Sequence, residues 1–158
     1  MPVNRLEVLK ELEKELKERK NFKLKHQNSR LLVSEDYLQI EYEPVNHWIY
    51  ADWKGYQTED SIKNGCESIL KFMIQFKCQK VLNDNTNVIG IWTPASVWVG
   101  SNWFPRIIAA GLKSFAWIYS PSVLSQVSTE ETLKNTMATE IIKTFYGLTS
   151  GKEWLISR

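Results

Sequence analysis

Apolar positions in "NRLEVLKELEKELKERK" (residues 4–20) recur at helical spacing: Leu6, Val8, Leu9, Leu12 and Leu16 share one face and Glu and Lys fill the other. The pattern predicts an amphipathic helix with Asn4 as N-cap and Glu13–Lys17 and Glu15–Arg19 as i,i+4 pairs. Its stripe is about two heptads long, short of a self-standing coiled coil, so the helix is expected to dock on another element. From Tyr37 the period changes to two. "YLQIEYE" (37–43) and "NHWIYADW" (46–53) read as an antiparallel hairpin around Pro44 and Val45.

A second helix follows, with Thr58 as N-cap, Glu59 and Asp60 in the first turn, and Ile62, Cys66, Ile69, Leu70 and Met73 at helical spacing as far as Phe76. "KVLND" (80–84) reads as a short strand and "NTNVIGIW" as irregular. A third helix is expected to open with Thr93 as N-cap and Pro94 at its first position, and to end at Gly111. "KSFAWIYS" (113–120) has the continuous apolar character of a strand buried on both faces. "STEE" (128–131) reads as a capping box for a short helix carrying Leu133 and Met137, "EIIKTFY" as a last strand and "SGKEWLI" as a closing helical turn. The order, α then ββαβαβαβα, predicts an α/β domain: an open mixed sheet with helices packed over it.

Composition changes this picture little. At 158 residues the chain fits one domain, and 43% hydrophobic with 24% charged residues is ordinary for a globular protein. A net charge of +2 gives no reason to expect nucleic acid. Without an apolar run near the ~20 residues that span a bilayer, and with a charged rather than signal-like start, membrane insertion is not expected and a cytoplasmic location is. Residues 1–30 hold nine Lys or Arg against five Glu, and the basic segment "RKNFKLKHQNSR" reads as a solvated connector, since no aromatic platform interleaves it. Cys66 and Cys78 have neither redox nor zinc spacing and read as buried thiols. With His26 and His47 the only histidines, no metal and no cofactor is expected.

Candidate chemistry is sparse. Asn83, Asp84, Asn85 and Asn87 fall at a predicted strand end, where open α/β sheets place ligands, but they are also the standard turn residues, and the turn reading is preferred. Asp84 would need a second titrating group for acid–base work, and Asp52 is the one carboxylate expected to approach it. No Gly-rich phosphate loop is present, and Ser125 and Ser128 lack a base or an elbow motif, so no catalytic residue is assigned. Trp48, Trp53, Trp117 and Trp154 read as core. Projecting residues 97–110 on an ideal helix puts Val99, Trp103, Phe104, Ile107, Ile108 and Ala110 on an inward arc, with Trp98, Asn102, Pro105 and Arg106 opposite. Trp98, Asn102 and Arg106 are therefore a candidate contact ridge for a protein partner, unless the stripe of Leu9, Leu12 and Leu16 folds back over Trp98. Pro105 removes one hydrogen bond and is expected to kink the helix.

"VLNDNTN" (81–87), Trp98, "WFPRIIAAGLKSFAWI" (103–118), Val127–Ser128 and "FYGLTSGKEWL" (145–155) resemble a bacterial family of small STAS-like proteins, related in fold to anti-sigma-factor antagonists and more remotely to the CRAL-TRIO lipid-binding fold. The resemblance implies residues 36–158 as a STAS-like domain, with a four- to five-stranded mixed sheet and helices mainly on one face, preceded by a helix and basic linker over 1–35. It also implies a non-enzymatic regulatory or protein-interaction role, as homodimer or with another protein. The phosphorylated branch carries Asp-Ser-Ser/Thr-Gly where this chain has "IWTPAS" (91–96), so a phosphoserine switch is not implied, and Thr93 is better explained as a helix cap. The remote relation and the aromatic content suggest, as an alternative, a small apolar ligand or lipid, with Asp84, Asn85 and Trp92 as a candidate ligand-proximal loop; an uncharacterised enzyme stands third.

Overall fold

The computed structural model describes residues 4–26 and 28–158, without the side chains of 21–26. Helix α1 spans Arg5–His26. Strands β1 (Arg30–Glu35), β2 (Leu38–Glu43) and β3 (Trp48–Gly55) form an antiparallel meander. Then come α2 (Glu59–Phe76), β4 (Lys80–Val88), a composite helix (Thr93–Ala109), β5 (Ser114–Ile118), α5 (Val123–Lys134), β6 (Ile142–Phe145) and α6 (Leu148–Ile156); the composite helix contains the short α-helical pieces α3 (Ser96–Trp98) and α4 (Phe104–Ala109). The six strands lie in sequence order, β1-β2-β3-β4-β5-β6, and β3 to β6 are parallel.

That topology fixes the layering. Three successive parallel connections that step in the same direction with the same hand must all cross on the same face. α2, the composite helix and Leu133 of α5 accordingly share one core with Ile40, Ile49, Val81 and Phe115 of the sheet. α6 covers part of the other face, where Leu155 packs with Trp48, Leu82, Ala116 and Ile118. Gly151 allows that approach: a Cβ there would meet Ile118 Cδ1 at 2.4 Å. Lys80 Nζ donates to the Leu155 carbonyl at 2.8 Å and ties down the helix end.

The hairpin, the α2 boundaries, the Gly111 stop and the fully buried β5 follow the sequence pattern. Thr58 caps α2 as expected, with Ser61 completing the capping box. Elsewhere the structure corrects the reading. The sheet has six strands rather than four or five, because β1 (Arg30–Glu35) begins where the basic segment 19–30 ends, within the stretch 1–35 read as helix and linker, and the first part of that segment prolongs α1 to His26. β4 runs on to Val88 through residues read as turn. Thr93 is not a side-chain cap; the composite helix opens with a 3₁₀ turn (Thr93–Ala95). "STEE" lies within α5, which begins a turn and a half earlier, and Met137 is outside the helix and fully exposed. Ile108 is exposed rather than packed on the sheet, and Ala110 packs only partly against the core, because a π turn at Val99–Trp103 re-phases the helix just before Pro105, with the Phe104 N–H reaching back to the Val99 carbonyl. The apolar stripe of α1 is largely uncovered, with Leu9, Leu12 and Leu16 50%, 49% and 63% exposed, and its residues 15–20 share an open crevice with Leu148 and Thr149 of α6.

Candidate functional site

Asn residues disfavour strands, yet Asn83 and Asn85 lie in β4, buried beneath the helices. Between Asp84 and Asn87 this strand takes up one extra residue relative to β3, a bulge that turns both Asn85 and Val88 to the helix-covered face. With Trp53, Gln57, Trp92, Trp103 and Trp117 they line a cavity of about 30 Å³ near the carboxyl ends of β3 to β5. Ile62, Cys66, Val99 and Phe115 complete the wall. The volume matches a couple of waters at the ~10–15 Å³ that one occupies, and is far too small for a lipid chain.

The polar lining is organised. Trp53 Nε1 donates to Asn83 Oδ1 at 2.9 Å, and Asn83 Nδ2 donates to Asn85 Oδ1 at 3.2 Å. Trp103 Nε1 donates to the Cys66 carbonyl at 2.8 Å, an interaction set up by the π turn, which buries Trp103 against α2. Trp92 Nε1 donates to Ser125 Oγ at 3.2 Å. Burial pushes the Cys66 thiol well above its ordinary value, so it is not a ready nucleophile.

Of the proposed ligand-proximal residues, Asn85 and Trp92 line this cavity and Asp84 does not. Asp84 points to the opposite face beside Asp52, its register partner on β3, as expected of that pair. Tyr50 OH donates to Asp84 Oδ2 at 2.8 Å, and the Thr86 amide donates to Oδ1 at 2.9 Å. Burial, then the neighbouring Asp84, raise the Asp52 carboxyl, against the opposing pull of Lys54 and Asn87. Glu41 is raised by burial and then by Asp52.

Trp98, Asn102 and Arg106 do come together. Arg106 Nε donates to Asn102 Oδ1 at 3.1 Å, and its guanidinium lies 5.8 Å from the Trp98 ring centroid with Lys63 Nζ at 5.7 Å. The ridge is also tied to α2, since both terminal nitrogens of Arg106 bond to the Glu67 carboxylate. That pairing holds the Glu67 carboxyl below its ordinary value. Trp98 is half-buried against the core by the composite helix and α2, not by α1.

Sequence reasoning found a helix here but missed its inner face: α5 is packed inside out. Ser125, Ser128, Thr129 and Thr132 face inward, while Val123, Leu124 and Val127 face solvent at 71%, 54% and 44% exposure. Ser128 Oγ accepts from the Trp92 amide at 2.8 Å and Ser96 Oγ donates to the Ser128 carbonyl at 2.9 Å. The small hydroxyls permit close approach: a Cβ on Gly100 would sit 2.7 Å from the Thr132 carbonyl oxygen. The signal was present as hydroxyls at i, i+3, i+4 and i+7, a helical stripe that a search for apolar periodicity passes over. Ile91, next to Trp92, is exposed, and the Tyr56 ring lies against Gly90. No family model, curated protein or solved structure matches the chain.

Proposed function

We propose that this chain is a STAS-like regulatory module, bacterial and cytoplasmic, that binds a protein and catalyses no reaction. The observation that carries the reading is the inverted α5. A helix that buries its hydroxyls and turns Val123, Leu124 and Val127 outward leaves apolar area uncovered, and Ile89, Ile91 and Tyr56 are exposed as well. Exposed apolar side chains gathered on one helix face, as Val123, Leu124 and Val127 are, mark protein-contact surfaces. The sequential sheet with its crossovers on one face supports the STAS-like part of the proposal. Absence of a phosphoserine switch is supported by Thr93 and Ser96: the first hydroxyl lies 3.1 Å from Ser128 Oγ, and the second is 1% exposed and bonded inward.

The partner is a second copy or another protein, and light scattering with native mass spectrometry distinguishes the two. Ile91→Asp and Val127→Asp are expected to abolish the association while leaving thermal unfolding unchanged. Association unaffected by both variants but lost in Trp98→Ala would move the contact to the ridge of Trp98, Asn102 and Arg106, and refute the α5 surface.

A further inference from the structure

The sheet begins at β1, so one side of that strand is hydrogen-bonded to β2 and the other has no strand partner among the described residues. An open edge is a template for a further strand, and natural edges are blunted by prolines, by lysines or by charges within the strand. β1, "RLLVSE", has neither proline nor lysine, and its two charges stand at its two ends. Exposure along it is symmetrical too: Arg30, Leu31, Ser34 and Glu35 are exposed, and Leu32 and Val33 at the centre are half-buried. Neither Arg30 nor Glu35 has an ion-pair partner among the described residues.

β1 does carry a bulge, the usual device for spoiling an edge, but this one brings its charges into line. Register partners on neighbouring strands project to one face. Arg30 is opposite Tyr42, and its guanidinium lies 5.9 Å from the Phe76 ring of α2, on the helix-covered face. Val33 and Glu35, opposite Ile40 and Leu38, share that face. Leu31 and Ser34, opposite Glu41 and Gln39, belong to the other. In a regular strand, residues five apart point to opposite faces. The register shift between Leu31 and Val33 inserts one extra residue, and Arg30 and Glu35 come to the same face.

We infer that β1 is the contact through which two copies of this chain pair, antiparallel about a two-fold axis between Leu32 and Val33, joining their sheets edge to edge. In that register Arg30 meets Glu35 of the partner subunit, and the symmetry makes the ion pair twice. Leu31 meets the partner's Ser34 and Leu32 the partner's Val33, so an apolar centre is closed by opposite charges at both ends. The occupant is a second copy because the strand is complementary to its own reverse, basic and apolar in its first half, apolar and acidic in its second. This contact is separate from the α5 surface and does not depend on it.

Sedimentation velocity over a concentration series of the full-length protein measures the pairing. Arg30→Glu and Glu35→Arg are each expected to raise the dimer Kd about tenfold, because each sets like charges opposite one another at both ends. A 1:1 mixture of the two variants is expected to regain wild-type association, since every reversed charge then meets an opposite one, and the double variant R30E/E35R is expected to regain it alone. Recovery of this kind requires folded variants, so misfolding cannot imitate it. A chain that stays monomeric throughout the series, a dimer indifferent to both reversals, or a loss that neither the mixture nor the double variant restores overturns the inference. Val127→Asp and Leu12→Asp leave this dimer intact; dimerisation lost in either would assign the contact to α5 or to α1 instead, which keeps failure here distinct from failure of the α5 reading.

Discussion

Gly65→Ala tests how tightly α2 is seated over the cavity. A Cβ at this position would lie 2.3 Å from Trp53 Cη2 and 2.7 Å from Leu38 Cδ2, so reaching ordinary contact requires a shift of roughly 1 Å. Trp53 cannot simply swing aside, because its indole N–H is bonded to Asn83 at 2.9 Å. Overpacking of this kind costs about 1–3 kcal/mol. Straining the indole bond adds about 1 kcal/mol. Replacing a helical glycine by alanine returns about 1 kcal/mol. The net expectation is a loss of about 1–3 kcal/mol, which at about 2–4 °C per kcal/mol for a chain of this size lowers Tm by several degrees. Urea denaturation measures the loss, and the Trp53 indole NMR signal reports the displaced ring. A variant as stable as the wild type, with that signal unmoved, would refute the packing argument.

Asp52→Asn should stabilise the protein at pH 7. A raised carboxyl pKa means that the folded state holds the proton more tightly than the unfolded chain, so wild-type stability falls as pH rises from the ordinary aspartate value, about 4, through the raised one. The gain from Asn therefore shrinks as pH is lowered toward that value, which denaturation curves at several pH values will follow. Removing residues 1–28, or introducing Leu12→Asp, should leave a cooperative unfolding transition within about 0.5 kcal/mol of wild type, because the apolar stripe of α1 contacts little else. Arg106→Ala should cost less than about 1 kcal/mol despite its two bonds to Glu67, since both side chains are nearly half exposed; urea titration in low and high salt checks this.

Where burial follows apolar periodicity, sequence and structure agree. The α2 stripe and the unbroken apolar run of β5 are visible to inspection because water exclusion alone specifies them. The cavity was legible only in part. Asn85 and Trp92 were singled out together, but the preference of Asn for turns argued against a strand, and what overrides it is a hydrogen-bond relay between side chains thirty positions apart. Asp84 went to the wrong face for the related reason that strand alternation applies only once a strand is recognised. The inward hydroxyls of α5 are stabilised by the amide and indole N–H of Trp92 and by the Thr93 hydroxyl, partners that no local window contains.

Strand order that repeats chain order has a consequence for synthesis. Each new strand leaving the ribosome finds its neighbour already at the growing edge of the sheet, and none must be inserted between two earlier ones, so the domain can assemble from its amino end as it emerges. α6 follows all six strands and is, among the described residues, the sole helix that packs with Trp48, Leu82, Ala116 and Ile118. Until it arrives, a nascent chain with an otherwise complete sheet presents one apolar face to solvent. Termination after β6 would leave a sticky half-clad sheet, whereas loss of the first helix would not, so a truncation that removes α6 is the more damaging of the two.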